Sequence, residues 1–148
     1  MSQAYDFDIT SANASAVLTV DSLFPSGIEL QMFATDQAVG QDSVDITETR
    51  MGVDGRMVAG FTPVIYPVTV TLEAASPSAK NLGTVWRAMK TVRGIYECTL
   101  VITVPSIAKV YTWSRGVMKS GVPFPSMKKV LEPTTWVFHF ENMDVSGV

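Results

Sequence analysis

Few residues of this chain are suited to chemistry, and their spacing assembles no catalytic set. His139 is the only histidine and Cys98 the only cysteine in 148 residues. No Cys/His ligand set, no CxxC and no internal disulfide can therefore be written. Cys98 falls on the apolar parity of its segment, where a thiol is buried and inert, since a nucleophilic cysteine needs a polar, electropositive setting. His139 shares a face with Thr135, Val137 and Glu141 and reads as a half-exposed strand residue. The carboxylates Asp42, Asp45, Glu48 and Asp54 do not follow the DxDxDG calcium-loop pattern, and on a strand Asp45 points away from Asp42 and Glu48. Lys119, Lys128 and Lys129 read as a solvated loop able to pair with an acidic partner surface. With no phosphate-cradling glycine loop, GxSxG elbow or HExxH pair in the sequence, we expect no enzyme, no metal and no cofactor.

Composition points to a different class of function. Charged residues make up 17%, hydrophobic residues 47%, and mean hydropathy is +0.22. An ordinary soluble domain has about 25% charged residues. No apolar run approaches the roughly 20 residues needed to span a bilayer, and the first residues lack the basic and apolar regions of a signal peptide. We therefore expect no membrane association and much surface buried against other protein chains. The net charge of −3 and pI near 5.0 argue against tight binding to phosphate backbones. They leave room for a protein that DNA slides past.

The elements that would position these residues are mostly strands. Residues 1–14 read as a flexible arm, and 15–148 as one domain large enough to bury a real core. Ala16, Leu18 and Val20 alternate with Val17 and Thr19, and Ile28, Leu30 and Met32 with Glu29 and Gln31. In the next strand Ser43, Asp45, Thr47 and Thr49 share a parity, giving one hydrophilic face. Asp54-Gly55 predicts a tight type I′ turn, and a return strand starts near Arg56 and meets Gly60 and Pro63. Val64 to Leu72 alternates again. Ser76-Pro77 opens the one helix, with Leu82, Val85, Trp86 and Met89 as its apolar stripe and Gly94 just past its end. Cys98–Val104 and 109–118 read as a second hairpin. A proline-punctuated loop then leads to a last strand at Thr134–Phe140.

The order ITETRMGVDGRMV, then VTVTLEAASPSAKNLGTVW, resembles the tail tube proteins of contractile-tailed bacteriophages, over roughly residues 28–105. Its carriers are the turn Gly52-Val53-Asp54-Gly55 and the Thr/Val strand running into Ser76-Pro77-Ser78. The resemblance implies a mainly β fold with one α-helix: an antiparallel β-sandwich or barrel-like tube subunit with a flanking helix and a long hairpin loop. It further implies homohexameric rings stacked into a hollow tube, through whose lumen DNA is ejected without specific binding. The implied partners are the tail sheath protein, the tape measure protein and baseplate or terminator proteins. The implied location is the virion tail, with the host cytoplasm during assembly.

Under that reading Arg50, Gly52, Asp54, Gly55 and Arg56 form a loop that contacts a neighbouring subunit or ring. Ser43, Asp45, Thr47 and Thr49 are the candidate lumen face. Six copies at −3 give a ring of roughly −18, a sign that lets a polyanion pass without sticking. Two alternatives share parts of this pattern. One is the inner tube of a phage-derived bacteriocin or secretion apparatus, and the other a small ligand-binding β-barrel.

Overall fold

The computed structural model describes residues 14–31 and 39–147. Most of the expected N-terminal arm, and Met32 of an expected strand, lie outside them. The described elements run β1 (Ser15–Val20), β2 (Phe24–Glu29), β3 (Val39–Gln41), β4 (Thr47–Met51), β5 (Met57–Phe61), β6 (Tyr66–Leu72), α1 (Pro77–Val92), β7 (Cys98–Val104), β8 (Lys109–Gly121) and β9 (Thr134–Gly147). The chain is mainly β with one helix, as its alternating patterns predict.

Seven strands form one antiparallel sheet in the order β2-β1-β7-β8-β9-β6-β3, and β4 and β5 form a separate two-stranded ribbon. The sheet folds over on itself in a sandwich-like manner. Trp113 of β8 donates its indole N–H to the Gln41 side chain of β3 at 2.7 Å, although β8 and β3 are not neighbours in the sheet. Among the described residues the edges β2 and β3 have no further strand beside them, and the sheet does not close into a barrel. Its interior is filled by Leu18, Val20, Val68, Val70, Leu72, Leu100, Trp136, Phe138 and Phe140, each at most 1% exposed. Burying a side chain of this size contributes about 1.5–3 kcal/mol, enough for the core to hold the domain without staples.

Two irregularities aim the long strands. Between Leu100↔Trp113 and Cys98↔Gly116 the β7–β8 register shifts, with Arg115 at φ 53°. An extra residue in one strand bends it and changes which parity faces inward. Here the buried set of β8 passes from Trp113 to Gly116 and Met118. Gly116 lies opposite Phe140 and Gly121 opposite Trp136, and a Cβ at either glycine would fall about 2.1–2.2 Å from the facing ring. These glycines are the room into which the aromatic rings pack.

The helix is pinned at its start. The Ser76 hydroxyl caps α1 by accepting from the Ser78 N–H at 3.2 Å, and donates to the Gln31 carbonyl at 2.5 Å. Ser78 donates to the Glu29 carbonyl at 2.7 Å and accepts from the Gln31 N–H at 2.9 Å. Both serines are buried, and together they tie α1 to the end of β2. Leu82 and Val85 enter the core, and Trp86 and Met89 pack against it. The left-handed residue that ends the helix is Arg93 (φ 57°), one position before the Gly94 the sequence suggests.

Candidate functional site

The ribbon of β4 and β5 is the most unusual part of the molecule. Its register pairs Thr47 with Phe61, Glu48 with Gly60, Thr49 with Ala59, Arg50 with Val58 and Met51 with Met57. Every residue of both strands is exposed, including Met51 at 67% and Phe61 at 80%. Neither strand pairs with the seven-stranded sheet. An isolated two-stranded hairpin is marginal in water, and its unpaired edges are ready-made templates for another chain.

The expected type I′ turn is not formed. Gly52 donates to the Arg56 carbonyl at 2.7 Å and accepts from the Gly55 N–H at 3.0 Å, so the loop is Val53-Asp54-Gly55. Only Gly55 has a positive φ, at 83°. This is a type I turn closed by a left-handed glycine bulge. The Asp54 carboxylate accepts from the Arg56 N–H at 3.1 Å, which fixes the turn from inside and relieves Asp54 of a left-handed conformation. A Cβ at Gly52 would lie 2.8 Å from that carboxylate and 3.1 Å from the Arg56 carbonyl, so a larger residue there would crowd the turn. The loop residues Gly52, Asp54, Gly55 and Arg56 are thus brought together at the tip, with Arg50 on the adjoining strand.

The expected strand from Ser43 to Arg50 begins only at Thr47. Continuing the ribbon's register would set Asp45 opposite Pro63, which has no N–H to donate. The ribbon is closed there by the Thr62 N–H donating to the Ile46 carbonyl at 2.9 Å. Ser43 and Asp45 therefore lie in an exposed, non-strand segment, while Thr47 and Thr49 share a face of β4. That face is not wholly hydrophilic once its partner is counted, since Phe61, Ala59 and Met57 of β5 complete it. These apolar residues are what the sequence reading missed. The signal was present in the alternation Met57, Ala59, Phe61, and nothing in one strand shows that neither of its faces is covered.

The remaining reactive groups sit apart from the ribbon. Cys98 is buried, and its thiol is pushed up to about 12, first by burial and then by the nearby Asp21 carboxylate. His139 is held below its usual value by partial burial and by the charge of Lys119. Among the described residues no group of three His, Cys, Asp or Glu could hold a metal ion. No helix among them is long and apolar enough to cross a membrane. The loop after β8 exposes a second apolar set, Phe124, Met127 and Val130.

The family model described as tail fiber protein gp32 matches residues 7–144. No curated protein matches the chain. Among solved structures, a chain of the PVC sheath-tube complex, an extracellular contractile injection system in the extended state, is similar with TM-score 0.62 at 12% identity, over 97% of this chain and 95% of that one. A chain of the anti-feeding prophage tube-terminating cap is similar with TM-score 0.60 at 9% identity, over 100% and 97%. One from the baseplate of the same particle is similar with TM-score 0.60 at 14% identity, over 100% and 99%. At these identities the likeness is one of fold. With its model spanning nearly the whole length, the chain belongs to the tail fiber protein gp32 family, and its fold is that of a tail-tube-like protein.

Proposed function

We propose that this chain is the tail tube subunit of a contractile-tailed bacteriophage, closing into hexameric rings that stack into the conduit for DNA ejection. The observation that carries the reading is the β4–β5 ribbon, paired within itself yet exposed on both faces and along both edges. In a ring stack it lies against a neighbouring copy, with Arg50, Asp54 and Arg56 making charged contacts from the tip around Gly52 and Gly55. Pairing it with neighbours removes the hazard of open edges and covers Met51, Met57 and Phe61. The low charged fraction of 17% has the same origin.

The outer surface meets the sheath, the lumen holds the tape measure protein before ejection, and the tube ends meet baseplate and terminator proteins. The subunit is made in the host cytoplasm and ends in the virion.

Negative-stain electron microscopy of the purified protein at high concentration, with light scattering on the same sample, tests this reading. Rings or hollow tubes are expected, and dispersed monomers at every concentration would overturn it. A second reading, the inner tube of a phage-derived bacteriocin or secretion apparatus, is favoured by the fold shared with chains of contractile injection particles. Recovery of the chain from DNA-filled virions supports the first, and from DNA-free particles the second.

A further inference from the structure

Two surfaces of the chain are complementary, and neither forms an ion pair among the described residues. The stretch 42–48 carries Asp42, Asp45 and Glu48, all exposed, and no basic residue. Ile46 stands among them, 52% exposed. The segment is held at both ends, by the Asp42 N–H donating to the Pro67 carbonyl at 3.3 Å and by the Thr62 bond to Ile46. In contrast α1 carries Lys80, Arg87 and Lys90, with Arg93 at its end, and no acidic residue.

Beside the C-terminal half of α1, where β8 ends, lies an open cleft of about 310 Å³. Trp86, Met89 and Met118 give it an apolar lining, and Lys90 and Lys119 supply the charge. The Lys90 ammonium sits 5.3 Å from the centroid of the Trp86 ring. Among the described residues the ion pairs are Arg115 with Glu141 and Lys128 with Glu132, so neither the acidic segment nor the cleft forms an ion pair within them.

We propose that the segment Asp42–Glu48 of one copy, with Ile46 as an apolar plug, seats in the basic cleft between α1 and the end of β8 of a second copy. The inference rests on the self-assembly reading and names one contact within it. The acidic segment leaves β3, at one edge of the sheet, whereas α1 packs on β2, at the other, and on β8. Donor and acceptor surfaces are therefore different. Such a heterologous contact repeats head to tail and closes into a ring when the rotation permits. Opposed charges around an apolar plug fix the partner and the register.

The test uses two charge-reversed variants of the full chain, D42K/D45K and K90E/K119E, with light scattering and electron microscopy as readouts. All four positions are exposed, and far-ultraviolet circular dichroism checks that each variant is folded. Each alone is expected to raise the concentration needed for assembly at least tenfold, and an equimolar mixture to restore it, because alternating copies then match at every contact. Assembly of both variants at the wild-type concentration overturns the contact while leaving the self-assembly reading intact. Loss of assembly in both without recovery on mixing overturns it too. A wild type that stays monomeric overturns the self-assembly reading and this contact with it.

Discussion

Removal of the β4–β5 ribbon separates folding from assembly. The perturbation replaces Thr47–Phe61 by Asn-Gly, which the Thr62 to Ile46 hydrogen bond already places at bridging distance. No residue of either strand is buried, so no core contact is lost. The connection between β3 and β6 shortens from about 24 residues to about 11, which lowers its closure cost by roughly 0.7 kcal/mol. The ribbon's own hydrogen bonds are lost, but an isolated hairpin is marginal and contributes little. The net change in stability is therefore expected within about 1 kcal/mol, against the 2–5 kcal/mol that follows loss of one large core side chain. Urea unfolding followed by tryptophan fluorescence measures it, since Trp86, Trp113 and Trp136 all lie outside the ribbon. Light scattering on the same variant is expected to show monomers only. A loss above about 2 kcal/mol would make the ribbon part of the fold, and wild-type assembly would make it irrelevant to the tube.

Other consequences concern the domain itself. Gly116→Ala is expected to cost about 1–3 kcal/mol by overpacking against Phe140, whereas Gly83→Ala, in the helix with nothing within 4 Å of the new methyl, is expected to gain about 0.5–1 kcal/mol. Thermal unfolding should move in opposite directions for the two. The folded His139 binds its proton at lower pH than the unfolded chain, whose value is near 6.5. The unfolded state therefore takes up more protons as pH falls, and the stability this group contributes, fully present above 6.5, declines below it. His139→Gln should flatten the urea midpoint between pH 7 and 5 by that contribution. Native Cys98 should resist a thiol-modifying disulfide at pH 8 and react fully in urea, since its pKa near 12 leaves almost no thiolate.

Strand alternation made most of the sheet legible, because apolar residues at every second position, as in Val68, Val70 and Leu72, suit a strand with one buried face and no helix. Three things were hidden. The phase change in β8 comes from a bulge at Arg115, and no residue type announces a bulge. The strand β9 runs to Gly147, well past Phe140, because its outer half is held by pairing with β8 and buries little. The second serine of Ser76-Pro77-Ser78 had no role that the sequence shows, whereas its hydroxyl clamps the helix to β2 through the Glu29 and Gln31 backbone. Of the site, the turn at Gly52–Arg56 was visible through Asp54-Gly55, but its type depended on the Asp54 carboxylate and the pairing of Gly52. The exposure of the whole ribbon was not visible, since a sequence states which side chains alternate and not which face meets water.

The central claim is that another copy of the chain covers the ribbon. Hydrogen exchange followed by mass spectrometry, on dilute monomer and on the assembled protein, tests it most directly. Amides of residues 47–61 are expected to exchange rapidly in the monomer and to become protected on assembly, while those of β1 and β6 stay protected in both. Assemblies in which residues 47–61 exchange as fast as in the monomer would contradict the claim.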